Sequence, residues 1–112
     1  MAVQTRQIAG TFHALGDATR LAVLEKLARE SKSISELARP FDMALPSFMQ
    51  HLQILEAAGL ISTRKHGRVR ICHFNSHGLR QTEDWLGKQR KLWERRLDQL
   101  DEYLATLKGD AT

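Results

Sequence analysis

The sequence predicts a mainly α-helical chain with a small two-stranded β-wing, a winged helix-turn-helix of about five helices assembled as a homodimer. Three observations carry this. From Ser33 to Leu60 the chain reads SISELARPFDMALPSFMQHLQILEAAGL, a short helix, a turn and a second helix stopped by Gly59. Two alternating strands follow, with the run RKHGRVR from Arg64 to Arg70 between them. The last segment repeats apolar residues every seven positions, as helices that pack against helices do.

The first helix is expected from about Arg6 to Leu15, where Ile8, Ala9, Phe12 and Leu15 fall at helical spacing. Gly16 ends it. Asp17 can cap a second helix running to about Glu30, with Arg20 standing where a capping box would carry Glu. Leu21, Leu24, Leu27 and Ala28 form its expected apolar stripe. Ser33 caps the third helix and Glu36 completes an S-x-x-E box. Pro40 ends that helix, because proline disfavours helical backbone at the residue before it.

Pro46 sits near the start of the fourth helix, about Leu45 to Ala58, where a helix tolerates proline. On a helical wheel Phe48, Leu52, Leu55 and Gly59 face inward, while Pro46, Met49, Gln50 and Gln53 face away. Leu60, Ile61, Val69, Ile71 and Phe74 alternate with polar residues about a tight joint at His66-Gly67, which reads as a hairpin.

The last helix is expected from Ser76 to about Leu107. Leu79, Leu86, Trp93, Leu100 and Leu107 form its seam, joined later by Leu97 and Leu104. Glu83 and Arg90 interrupt the second row earlier. A helix of roughly 30 residues has more apolar stripe than so small a domain can cover. It is expected to pack against a copy of itself; the alternative is a helix folded back on its own core. The whole chain, 1–112, is expected to be one domain. Its dimerisation helices would lie at 1–15 and 76–107, with the DNA-binding core and wing at 17–74.

The chain of 112 residues carries a formal charge of +4 and a pI of about 9.6, so a dimer would present twice that charge to a phosphate-rich partner. Cys72 is the one cysteine, which rules out an intramolecular disulfide and makes a reducing cytoplasm the expected location. The beginning, MAVQTRQIAG, has no secretory pattern. No apolar run approaches the ~20 residues that span a bilayer, so no membrane partner is expected.

Location gives the cationic run its meaning. Four of its seven residues, Arg64, Lys65, Arg68 and Arg70, can neutralise phosphates, which supplies affinity without sequence information. Base reading then falls to Gln50 and Ser47, with Gln53 and His51 as further candidates, since Gln can bond adenine bidentately. His51 lies at the edge of the packed face, so a structural role is open to it too. Leu45, Pro46 and Met49 complete the helix side of the candidate DNA-binding set.

FHALGDATRLAVLEKL, then SISELA, then MALPSFMQHLQILEAAGLI and a basic, glycine-containing wing together resemble the ArsR/SmtB family of winged-helix repressors. The resemblance covers about Phe12 to Phe74. It implies a homodimer whose first and last helices form the interface, here through Ile8, Phe12, Leu86, Trp93, Leu97, Leu100 and Leu104. It implies two recognition helices on a palindromic double-stranded operator, repression of the chain's own operon, and release of DNA when an inducer binds.

Here the sequence departs from the family. The familiar metal motif places cysteines in the third helix, in a pattern like ELCVCDL, and those positions correspond to Ser33 and Ser35. A hydroxyl is a poor ligand for thiophilic ions. The family's other site needs Asp and His on the last helix, and no histidine follows His77. The resemblance is therefore to the branch without these sites, and neither metal nor cofactor is expected. The effector, if there is one, is an unidentified small molecule.

His73 and His77 are four apart, but a strand ends between them, so the spacing does not align ligands as it would on one helix. Cys72 reads as a small packed residue, with an intersubunit disulfide as the alternative. Trp85 and Trp93 read as interface packing or as the lining of an apolar effector pocket. Neighbours on a strand point to opposite faces, so Cys72 and His73 make no nucleophile–base pair, and no enzyme is expected. The rival reading is a winged helix that binds protein and not DNA, a module that usually lacks a basic wing.

Overall fold

The computed structural model describes residues 2–110, so the first residue of the expected 1–15 segment and the last two of the chain lie outside it. In chain order run α1 (Ala2–Leu15), α2 (Ala18–Arg29), β1 (Lys32–Ser33), α3 (Ile34–Ala38) and α4 (Leu45–Ala57). Then come β2 (Ile61–His66), β3 (Val69–Phe74), a 3-10 turn (Ser76–Leu79) and α5 (Arg80–Asp110). The chain forms two compact units, one ending at Thr82 and the other beginning at Glu83.

In the first unit the helix starts follow side-chain chemistry. Asp17 accepts from the Arg20 backbone N–H at 3.1 Å and so caps α2. Ser33 and Glu36 form the complete capping box of α3, with Ser33 Oγ accepting from Glu36 N and Glu36 Oε1 accepting from Ser33 N, each at 3.2 Å. The stripe expected on α2 is rotated. Val23, Leu24 and Leu27 are buried together with Arg20, whereas Leu21 and Ala28 face solvent. The apolar pattern alone does not locate this face, because a buried arginine does not register as a core residue.

Phe48, Leu52 and Leu55 of α4 pack with Leu37, Val23, Leu60 and Cys72 into one core. Met49, expected to face away, is half-buried against that core, because a wheel does not show what the neighbouring strands cover.

The wing is part of a three-stranded antiparallel sheet in the order β1-β3-β2, and not a free two-stranded ribbon. Lys32 pairs with Cys72 and Ser33 with Ile71, so the two residues read as a break between helices are a short edge strand. Two residues are too few for an alternating pattern to register. The hairpin joint also shifts by one residue. His66 pairs with Val69, which leaves Gly67-Arg68 as a two-residue loop. Gly67 has φ 64°, and among the described residues no non-glycine has positive φ, which fits a type II′ turn with glycine first.

Gly59, with φ 76°, closes α4. Gly59 N–H donates to Glu56 O and Leu60 N–H to Leu55 O, both at 3.0 Å, the paired bonds of a Schellman motif. Leu60 then drops fully into the core. Its carbonyl accepts from Asn75 N–H at 2.8 Å, so the chain leaving β3 returns to where it entered β2. Gly78 packs directly on this end: a Cβ there would collide with the Gly59 carbonyl oxygen. Leu79, expected to open the last helix's seam, lies in the 3-10 turn and packs against the core.

The second unit is the part of α5 from Glu83 onward. Leu86, Leu92, Trp93, Leu97, Leu100, Tyr103, Leu104 and Leu107 are all exposed along it. Arg96 lies over the Trp93 ring at 5.7 Å, and Arg90 faces Glu94 at 3.9 Å.

Candidate nucleic-acid interface

The first turn of α4 differs from those of α2 and α3. Its N-cap is Ala44, which makes no side-chain cap bond, and Pro46 follows in the first turn. Leu45, Pro46, Ser47, Gln50 and Gln53 are exposed, so five of the seven helix residues in the candidate set share an accessible surface. Met49 is half-buried. His51 is half-buried too, and its environment is unlike that of its neighbours.

His51 Nδ1 lies 3.0 Å from Arg20 Nη1. Arg20 is buried, and the rest of its guanidinium serves the end of α1: Nε donates to Ala14 O at 2.7 Å and Nη2 to His13 O at 3.1 Å. Asp17 Oδ2 lies 3.7 Å from His51 Nδ1. The Asp17 carboxyl is held below the ordinary carboxylate value, chiefly by the Arg20 backbone N–H it accepts, with the Arg20 charge adding to this against a desolvation cost. Arg20 thus joins α1, α2 and α4. Sequence reasoning noticed it only as a cap-box mismatch, because its partner is 31 positions away.

Arg64, Lys65, Arg68 and Arg70 are all exposed on the wing. Lys65 stands directly opposite Arg70 across the ladder. Like charges facing each other on a hairpin are destabilising, and an anion between them would relieve the repulsion. Arg70 is already engaged: its Nη1 donates to Thr63 Oγ1 at 3.0 Å, and Thr63 Oγ1 lies 3.4 Å from Glu56 Oε2. Glu56 and Thr63 therefore belong to the surface between α4 and the wing, and sequence reasoning missed both. A groove lined by Ile34, Met49, Gln53 and Glu56 with Thr63 and Arg70 separates the helix from the strands.

Of the residues expected at a dimer interface, Ile8 is buried within the first unit and Phe12 is 40% exposed. Leu86, Trp93, Leu97, Leu100 and Leu104 are exposed on α5.

A helix-turn-helix domain family matches residues 15–64. An ArsR family transcriptional regulator of known crystal structure is 51% identical to this chain and superposes with a TM-score of 0.77, covering 80% of this chain and 93% of that one. This chain belongs to the ArsR family of transcriptional regulators. The ArsR-family chain is also 37% identical over 68 residues to the HTH-type transcriptional regulator Rv2034 of Mycobacterium tuberculosis, a match spanning 61% of this chain and 64% of that protein, under two-thirds of its length. It is 29% identical over 75 residues to the transcriptional repressor SdpR of Bacillus subtilis, 67% of this chain and 83% of that protein. These relatives are transcriptional regulators and not enzymes.

In this ArsR-family chain the Ser33 hydroxyl, at one of the positions where the resemblance would place a thiolate, is occupied in the α3 capping box. Among the described residues no three or more His, Cys, Asp or Glu side chains gather as metal ligands would. Cys72 is fully buried, and its thiol is pushed up to about 11 by desolvation, with the Glu56 charge adding to the effect. His73 Nδ1 lies 2.7 Å from Ser31 Oγ. No helix among the described residues is long and apolar enough to cross a membrane.

Proposed function

We propose that this chain is a sequence-specific repressor that binds double-stranded operator DNA as a homodimer, without a thiolate metal site. The observation that carries this reading is the pairing of two surfaces in one unit. The first is the exposed polar start of α4, and the second is the exposed cationic wing, on which Lys65 and Arg70 face each other. Gln50 and Ser47 read bases in the major groove, with Gln53 beside them. Leu45 and Pro46 shape the start of the helix, where open backbone N–H groups donate to a phosphate. Arg64, Lys65 and Arg68 neutralise phosphates along the flanking backbone.

The homodimer supplies two recognition helices for a palindromic site. It is formed by α1, through the exposed Phe12, and by the apolar row of α5; Ile8, already buried within its own unit, supports α1 from inside. Membership in a family of transcriptional regulators and the likeness to the repressor SdpR support repression as the output. An organic small molecule is the kind of effector that fits a chain without the thiolate pair.

The test is fluorescence anisotropy on the DNA upstream of the chain's own gene, titrated with salt, with a scrambled duplex as control and with zinc or chelator added. Tight, specific binding unaffected by either addition supports the reading. Binding no tighter than to scrambled DNA favours a protein-interaction module, and release by zinc means a metal site exists.

A further inference from the structure

Arg20 and His51 lie behind the recognition surface, and their geometry fixes a proton. Two of the three guanidinium nitrogens of Arg20 are committed to the last carbonyls of α1, those of His13 and Ala14, which have no partner within the helix. Its planar, rigid fork then aims Nη1 at His51 Nδ1, 3.0 Å away. Guanidinium only donates and stays charged, so Nδ1 must accept, and the ring must be neutral with its hydrogen on Nε2. Asp17 is the other charged group facing the ring, and the oxygen that lies 3.7 Å from Nδ1 already accepts the Arg20 backbone N–H.

The His51 side chain is 23% exposed, and Nε2 is not among the buried polar atoms that lack a partner. His51 lies on α4 one turn after Ser47 and next to Gln50, so its partly exposed ring is at the edge of that surface.

We propose that His51 donates Nε2–H to a DNA backbone phosphate, and that Arg20 is the positioning residue that holds the ring neutral and in that tautomer. This rests on the DNA-binding reading above. A donor-only group beside the base-reading face suits a phosphate oxygen, which only accepts. Because the ring is neutral, the contact releases no counterion, unlike a contact made by Arg68.

The test uses the full chain and a mixed-sequence 30-base-pair duplex. Long-range 15N–1H correlation should show His51 of the free protein as the Nε2–H tautomer, and Arg20→Lys, which cannot span all three acceptors, should mix the tautomers. His51→Asn should weaken binding about tenfold, the cost of a hydrogen bond to a charged acceptor, with the slope of log K against log salt unchanged. His51→Gln, whose amide nitrogen stands close to the lost Nε2, should restore binding to within about threefold of wild type. An Nδ1–H or doubly protonated ring in the wild type overturns the proposal, and so does a folded His51→Asn variant that binds as tightly as wild type. A wild-type chain that binds no duplex overturns the DNA-binding reading together with it.

Discussion

Arg68 and Arg70 are two positions apart on the wing, yet their guanidinium groups are differently placed. Arg70 is held by Thr63, whereas Arg68 makes no side-chain hydrogen bond or ion pair among the described residues. Arg68→Ala should therefore weaken binding to all duplexes and lower the salt slope by about one, while Arg70→Ala should lower it by less than half that. Gln50→Ala should cost about 1–3 kcal/mol on the operator and little on scrambled DNA. Equal losses from Gln50→Ala and Arg68→Ala on both duplexes would reverse these assignments. Cys72 gives a prediction of a different kind. Its thiol stays neutral in the fold to about 11, whereas in the unfolded chain it ionises from about 9, so alkaline pH favours unfolding. Stability should fall by about 1.4 kcal/mol per pH unit within that window, with no such contribution below it. Chemical denaturation of wild type and Cys72→Ala at pH 8 and 10.5 measures the difference. Parallel losses in the two proteins would assign the slope to other groups.

The elements read from sequence are those set by nearby residues. Ser33 and Glu36 are three apart and Gly59 follows α4 directly, so the start of α3 and the end of α4 were both legible. The two-residue β1 was not, because it exists only through its pairing with β3. The half-buried Met49 was missed for a related reason: a wheel assigns faces but does not show what the neighbouring strands cover. Gly78 is the sharpest such case, since no local pattern marks a glycine that meets the backbone of Gly59. Gly78→Ala should destabilise the fold by about 1–3 kcal/mol, the usual cost of overpacking, although alanine is the better helix former. A thermal melt equal to that of wild type would mean that the 3-10 turn shifts freely.

At the scale of the whole chain, the heptad row on α5 was plain in the sequence, and its residues remain exposed in the unit that carries them. Apolar residues so arranged are expected to be covered by a second copy. Leu97→Glu or Leu100→Glu should shift the chain from dimer to monomer in sedimentation, and a variant that stays dimeric would place the interface elsewhere. The candidate site was legible in part. The wing cations and Gln50 stood out as charge and pattern, whereas Arg20, Thr63 and Glu56 act through contacts that no spacing rule connects.

The bond from Asn75 N–H to Leu60 O makes the wing a closed excursion that begins and ends at one point of the core. Such a segment is modular. Its exposed tip, residues 65–69, lies beyond the β1 pairing and the buried Ile61 and Cys72, and can be exchanged for a loop of another length or charge without moving the end of α4. On the proposed reading, evolution, or an engineer, can thus adjust how strongly this regulator grips any DNA independently of which sequence it selects.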